Sequence, residues 1–341
     1  MDPDPVTTVP AQTPSSTEDG PLRVAVLAGG VGAARFLRGL LAHTHRSGEP
    51  LEITVIGNTA DDLTLNGLRI CPDLDTVMYT LGDGVHEEQG WGRTDETFAV
   101  AADLAEYGLT PDWFTLGDRD IATHLARTAL LAQGLPLSRV TELLCRRWQP
   151  GVRLLPMTDD PVETHVVLSE DGRTVHFQEW WVRLHAAVPA DRFVLRGIET
   201  ARPAPGVLAA LAGADVVLLP PSNPVVSLGT VLAVPGIRAA VRGSGAPVVG
   251  VSPLVGGAPV RGMADACLAT VGVPADPLSV AGMYRDLLDG WLVDTVDAPD
   301  DVDPDLVVLA RPLLMTDLDT AAEIAGAALG LALSLRGSRT H

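Results

Sequence analysis

Lysine is absent from this chain: all 24 of its basic residues are arginine. That excludes a Schiff-base lysine, and it excludes the phosphate-binding loop whose lysine reaches the terminal phosphates. Any clamp for an anion must therefore come from arginine, from backbone N–H groups or from a metal. Cysteine is scarce as well. Cys71, Cys145 and Cys267 are widely spaced with no C-x-x-C pair, which leaves reduced, packed thiols and no zinc cage or disulfide framework. H-E-x-x-H and G-x-S-x-G are both missing, so zinc hydrolases and serine esterases have no support. Apolar runs are strand-length and none approaches the roughly 18 uninterrupted residues of a bilayer span. The N-terminal MDPDPVTTVPAQTPSSTEDG has neither a basic start nor an apolar stretch, unlike a signal peptide, and a cytoplasmic protein is expected. A net charge of −19 argues against nucleic-acid or anionic-membrane partners, which need basic patches. Part of that charge, from Asp289 to Asp305, reads as a solvated run.

What is present is an α/β rhythm. Residues 1–20, rich in Pro, Ser, Thr and Asp, read as a disordered leader. Residues 21–341 read as one domain with an inserted lobe at about 75–205. Leu22–Leu27 and Leu51–Ile56 predict strands, with Phe36, Leu37, Leu40 and Leu41 at helical spacing between them, a βαβ unit. A helical stretch follows, with Leu74, Val77, Met78 and Leu81 on one stripe, a helix capped by Asp118, and another from Ser138 to Arg147. Thr164–Leu168 and Thr174–Trp181 around Glu170–Arg173 predict a hairpin. Short apolar strands return at Asp215–Leu219, Pro247–Val251 and Leu306–Leu309, before a closing helix at Thr320–Leu335. The sum predicts a Rossmann-like, doubly wound parallel sheet carrying an inserted helical and β-hairpin lobe, with ligands at the carboxyl ends of its strands.

The first such end is glycine-rich. Gly29, Gly30, Val31 and Gly32 follow the first strand and open a helix in which Arg35 stands one turn on. Glycine lets the backbone approach a phosphate, and helix N–H groups favour an anion. Gly30 and Gly32 match the start of G-x-G-x-x-G, but Arg35 takes the third position, and strand two ends in Gly57-Asn58 with no acid to hold an adenosine ribose. An NAD(P) oxidoreductase is thereby disfavoured, and Arg35, one turn into the helix, can add a bidentate cation to the phosphate the loop holds. Glycines serving only close strand–helix packing are the alternative.

Carboxylates gather at the same edge. Asp61 and Asp62 follow strand two directly, and twelve residues after Asp61 the segment Pro72-Asp73-Leu74-Asp75 starts a helix. Acids near a phosphate site suit Mg²⁺, which takes one or two carboxylates and completes its shell with substrate phosphate and water. An Asp just after Pro is equally a routine helix N-cap, and spacing alone leaves both readings open. Ser222-Asn223-Pro224 and the Ser252–Gly257 loop lie at the same edge; their amides and hydroxyls suit a base or ribose, though such residues also make plain turns. His124 is expected to face solvent or a partner side chain, and His165 and His176 to be packed in the hairpin.

Taken together these segments resemble the 2-phospho-L-lactate transferase family. The resemblance is carried by LAGGVGAARFLRGL, NTADDLTLNGLRICPDLDTVMYTLGDG, WGRTDETF, DWFTLGDRDIATHLARTALL, LLPMTDDPVETHVV, HFQEWWVR, PPSNPVVSLGTVLAVPGIRAAV, SPLVGG, RGMADACL and RPLLMTD, in order from about residue 22 to 335. It implies a Mg²⁺-dependent step of coenzyme F(420) biosynthesis. A phosphorylated three-carbon acid would pass from its guanosine diphosphate adduct to the ribityl hydroxyl of the deazaflavin Fo, with release of GMP. The HFQEWWVR and RICPDLDT segments and the lack of lysine favour the actinobacterial branch, for which the acid is expected to be enolpyruvate and not lactate. By the same resemblance Gly29, Gly30, Val31, Gly32, Arg35, Asn223, Ser252, Gly256 and Gly257 would hold the guanosine diphosphate portion. Asp61 and Asp73 would serve the metal and catalysis, with Asp61, Asp62 and Arg93 at the deazaflavin. Ala60 departs from the family's N-x-G-D-D, which puts local backbone freedom in doubt. A homodimer is the default expectation. The rival reading is a regulatory protein of a related glycine-loop fold that binds nucleotide sugars; PDLDT and WGRTDETF favour the transferase.

Overall fold

The structure, a computed structural model, describes residues 20–109, 113–301 and 304–339. All but the last residue of the expected leader lies outside them.

Seven parallel strands form the central sheet: β1 Leu22–Ala28, β2 Leu51–Gly57, β3 Arg153–Pro156, β4 Val216–Leu219, β5 Val248–Val251, β6 Gly290–Val293 and β7 Val307–Ala310. Their spatial order is β7-β6-β5-β4-β1-β2-β3. The direction of winding reverses between β1 and β4, so a crevice opens at the carboxyl ends of those two strands. Both faces of the sheet are covered, which is why its strands are apolar runs and not alternating ones. On β1 the alternation is still visible in the partners. Val24, Val26 and Ala28 pack into one core with helix α1 (Gly30–Ser47), and Ala25 and Leu27 into the core on the other face.

The C-terminal helix Leu318–Arg339 is long and apolar enough to cross a membrane by length and composition. Its face bearing Ala321, Ala322, Ile324, Ala325, Ala328, Leu329 and Ala332 is core, packed against α1. The approach is close: a Cβ on Gly39 of α1 would lie 2.4 Å from the Ala321 backbone.

The excursion expected over 75–205 comes in two pieces, because the chain returns to the sheet at β3. Its first piece holds α2 (Pro72–Leu81), α3 (Ala99–Glu106), α4 (Asp118–Ala132) and α5 (Leu137–Trp148). Asp118, expected to cap α4, caps α3 instead, accepting from Ala99 N–H at 3.1 Å and Val100 N–H at 3.0 Å. Glu96 returns the favour by accepting from the Arg119 and Asp120 N–H groups, both at 2.8 Å. The second piece is a three-stranded antiparallel sheet, Glu163–Leu168 flanked by Thr174–His176 and Ala190–Arg196. The hairpin's second strand stops at His176, short of the expected Trp181. Gln178 N–H turns back to His176 Nδ1 at 3.1 Å, and Glu179–Arg183 winds into a wide helical turn that buries Trp180.

Candidate active site

The glycine turn is built by contacts that no side chain could share. Gly30 has φ +71, which favours glycine. A Cβ on Gly32 would lie 2.1 Å from the Pro221 carbonyl oxygen, so α1 can begin against the loop after β4 only because that position is bare. Gly29 N–H donates to Ser222 Oγ at 3.3 Å across the same junction. These contacts set the floor of a cavity of about 680 Å³ at the switch point.

Asp73 does not cap its own helix: Cys71 is the N-cap residue of α2, and no side chain caps that end. The Asp73 carboxylate reaches instead to the glycine turn. It accepts from Asn58 Nδ2 at 2.9 Å and from the Gly30 N–H. Asn58 is itself fixed, its Oδ1 accepting from Ala60 N–H at 3.0 Å and from Thr230 Oγ at 2.7 Å. Asn58 therefore aims Asp73, a role its place at the end of β2 did not announce. Asp61 stands nearby in the cavity wall, and its buried Oδ1 has no hydrogen-bond partner among the described residues. Burial, then the charges of Asp73 and Asp62, push the Asp61 carboxyl well above the usual range. Burial pushes Asp73 up to about 6, against the pull of the Asn58 and Gly30 hydrogen bonds. Among the described residues no three acids, histidines or cysteines converge as a cage. A hard cation here would be held by two carboxylates and completed by ligand oxygens. The orphaned Asp61 oxygen and the shortage of positive charge around the pair fit such an ion.

Two residues on, Asp75 lies in a different setting. It pairs with Arg127 of α4, buried to 1% exposure, and His124 Nδ1 stands 3.7 Å from its other oxygen. Arg127 Nη1 also lies 3.1 Å from His124 Nδ1, and His124 Nε2 is 3.2 Å from Asp120 Oδ2. Tyr79 OH donates to Asp120 Oδ1 at 2.6 Å. Burial alone would lower the Arg127 pKa, yet Asp75 beside it raises it. The histidine expected to meet solvent or a single partner is thus locked inside a network, and Asp75, Tyr79, Asp120 and His124 all line the cavity. Trp91, Trp113, Phe114, Phe177 and Trp181 add apolar, aromatic wall.

Of the residues singled out from sequence, Gly29, Gly30, Val31, Gly32, Arg35, Asp61, Asp73, Asn223 and Ser252 line this one cavity. Asn223 has structural duties there, its Oδ1 capping the next turn at Val225 N–H (3.0 Å) and Val226 N–H (3.2 Å). Ser252 Oγ is occupied by its own loop, accepting from Leu254 N–H at 3.1 Å. Four others are not on the wall. Asp62 turns beneath it toward Arg69 at 3.4 Å, with burial raising its carboxyl to about 7. Arg93 stacks over Trp148 at 5.0 Å and donates to the Arg119 carbonyl at 2.8 Å, leaving its neighbours Trp91 and Gly92 on the cavity. Gly256 and Gly257, at φ +60 and +72, are the turn of the short hairpin Leu254–Val255/Ala258–Pro259. Their φ values explain the glycines without a ligand.

Comparison with known proteins agrees with this architecture. A Bacillus halodurans protein solved by X-ray crystallography superposes with a TM-score of 0.60 over 91% of this chain and 100% of its own, at 19% identity, a likeness of fold. The profile of 2-phospho-L-lactate transferase matches residues 24–306. The chain is 62% identical over 322 residues to a phosphoenolpyruvate transferase of Thermobifida fusca, covering 92% of this chain and 99% of that one. It is 61% identical over 327 residues to one of Streptomyces coelicolor (92% and 99%) and 51% identical over 335 residues to one of Mycobacterium avium (91% and 99%). With a glycine turn, an acid pair and a switch-point cavity in one fold, and these matches along nearly its whole length, the chain belongs to the 2-phospho-L-lactate transferase family.

Proposed function

We propose that this protein transfers a phosphorylated three-carbon acid, enolpyruvate in preference to lactate, from its guanosine diphosphate adduct to the ribityl hydroxyl of the deazaflavin Fo. GMP is released, and the product is a step toward coenzyme F(420). The observation that carries the reading is the pairing of Asp61 and Asp73, buried and with no described cationic side chain paired to either, beside a glycine turn at the switch point. The names of the relatives at 51–62% identity support enolpyruvate as the acid.

In this reading the hydroxyl oxygen forms a bond to the phosphorus that carries the acid, and the bond from that phosphorus to the GMP oxygen breaks. Displacement of this kind needs positioning and charge neutralisation, not a covalent nucleophile. Mg²⁺ held by Asp61 and Asp73 would neutralise charge on the phosphate oxygens. The protein's own part is to seat the diphosphate on the N–H groups of the glycine turn, with Arg35 one helical turn away. Asn58 and the Gly30 N–H hold Asp73 in one orientation. Asp61, in the cavity wall with an oxygen that no described residue engages, would orient the attacking hydroxyl or take its proton. The aromatic wall from Trp91 and Trp113 to Trp181 would give a flat deazaflavin ring apolar surface to lie against. The reading places the enzyme in the cytoplasm as a homodimer.

The test is direct: incubate the protein with Fo, Mg²⁺ and each guanosine diphosphate adduct, and follow products by mass spectrometry. A phospho-acid ester of Fo together with GMP is expected, fastest with the enolpyruvyl adduct. Tight guanine-nucleotide binding without product from any adduct would replace this reading with the regulatory one.

A further inference from the structure

The cavity wall carries two guanidinium groups, Arg35 and Arg261, among four carboxylates, those of Asp61, Asp73, Asp75 and Asp120. Asp75 is answered by Arg127 from inside the fold. Neither arginine of the wall answers any of the other three. Arg35 makes no hydrogen bond or ion pair with a described residue. Burial, then repulsion from Arg261, lowers its pKa, so the fold holds two like charges near each other at a cost.

Arg261 is placed there by the loop over α1. Arg38 ties that loop down through Glu87 at 2.8 Å and Asp83 at 3.5 Å. At its tip, Gly90 is at φ +73 with its N–H on the His86 carbonyl at 2.7 Å. A Cβ on Gly90 would lie 2.7 Å from Val31 Cγ1 and 2.8 Å from Arg261 Nη1. The loop backbone thus lies between Val31 of the glycine turn and the Arg261 guanidinium, with a bare glycine at φ +73 where the two come near. Arg261 spends its Nη2 on the Glu88 carbonyl at 3.0 Å; that is the one protein acceptor it has among the described residues.

We propose that Arg261 is the carboxylate arm of the donor site, pairing with the carboxylate of the three-carbon acid while the glycine turn and Arg35 hold the diphosphate. This rests on the reading of the donor as an acid-bearing guanosine diphosphate. Such a donor is anionic in two places. Its diphosphate meets backbone N–H groups, Arg35 and the acid pair's cation. Its carboxylate, entering a wall already lined by aspartates, needs a cation of its own. Arginine's planar fork matches a carboxylate with two parallel hydrogen bonds, and with no lysine in the chain Arg261 is the cationic side chain left for it.

The test compares two probes on the purified full-length chain with Mg²⁺ by titration calorimetry: GDP, which lacks the carboxylate, and the lactyl adduct of GDP, which carries it. Arg261→Gln is expected to weaken adduct binding by about ten- to hundredfold, the loss of one charge-assisted bidentate contact, and GDP binding by less than about twofold. Arg261→Lys, which keeps the charge and loses the fork, should fall between. Arg261 is exposed, so both variants should keep the wild-type melting temperature. Equal weakening of both probes would assign Arg261 to the diphosphate and overturn the proposal, as would no weakening of either. A wild-type protein that binds neither probe would fail the nucleotide reading itself; one that binds GDP and its adduct equally tightly would fail the carboxylate arm alone.

Discussion

Asp73 and Asp75 stand two residues apart on one helix, both buried, and meet the cost of a buried carboxylate in opposite ways. Asp75 faces Arg127 and His124, so its charge is cancelled inside the fold. Among the described residues Asp73 receives neutral donors, the Asn58 amide and the Gly30 N–H, and its charge repels that of Asp61, of the same sign. An internally cancelled carboxylate is architecture, and its removal is felt as lost stability. A carboxylate left without its cation is a standing cost that a fold keeps when something else supplies the charge. On the proposed reading, the difference separates scaffold from site within a single turn of helix.

Arg127 gives the sharpest way to break that comparison. Arg127→Met strands Asp75 without a counter-charge, and unfolding by denaturant should show a loss of about 3–5 kcal/mol. Adding Asp75→Asn to that variant should recover a large part of it. A single Arg127→Met variant as stable as the wild type would mean that Asp75 is no better neutralised than Asp73, and the contrast would dissolve.

Asp61→Asn and Asp73→Asn should behave the other way round. Turnover in the Fo assay is expected to fall by about a hundredfold or more, while stability holds or rises because a buried, uncompensated charge has gone. A variant at Asp61 that unfolds as Arg127→Met does would place Asp61 in the scaffold. Unchanged turnover would remove it from the chemistry.

How far the sequence reveals this division depends on how local each feature is. The glycine turn, Arg35, Asp61 and Asp73 sit within a few residues of a strand end, and strand ends in a doubly wound sheet face the ligand. The sheet itself was legible for the same reason, as five of its seven strands are plain apolar runs between turns. The two exceptions are four residues long each: β3 hides in the excursion between α5 and the hairpin, and β6 lies within the acidic stretch from Asp289 to Asp305 that reads as a solvated run. Arg127 meets Asp75 from 52 positions away, and helical periodicity does not say which polar residue of α4 will be drawn inward. The ambiguity over Asp73 was real at sequence level, since a carboxylate after Pro fits an N-cap as well as a ligand. The structure excludes the N-cap, because Cys71 holds that place and the Asp73 carboxylate turns to Asn58 instead. Gly256 and Gly257 show the converse: a glycine pair expected at the ligand edge lies off the cavity wall, in a hairpin turn whose backbone calls for glycine. Arg93, in a family-like segment, spends its guanidinium on Trp148 and the Arg119 carbonyl, so the segment reaches the cavity through Trp91 instead.

A smaller effect tests the floor the two regions share. Gly32→Ala would drive a Cβ to 2.1 Å from the Pro221 oxygen, and both sides of that contact are backbone. Relief requires α1 to shift from the loop after β4, at a cost of about 1–3 kcal/mol in stability. GDP affinity should fall with it, because the same shift moves the N–H groups that would cradle the phosphates. An alanine variant with wild-type GDP affinity would show that the turn's glycines serve strand–helix packing only.

The smallest expected effect is also the most discriminating, because it reads the proposed cation and nothing else. A ligand that binds only the folded state raises stability by RT ln(1 + [L]/Kd), about 1.4 kcal/mol at ten times Kd. Mg²⁺ added to the GDP-bound wild type at that level should therefore raise the thermal midpoint by about 2 °C. Asp75→Asn should show the same increment from a lower baseline, since Asp75 already has its cation in Arg127. Asp61→Asn and Asp73→Asn should show none. If Mg²⁺ stabilises all four proteins alike, the ion binds elsewhere, and the acid pair's raised pKa values reflect burial without a metal to answer it.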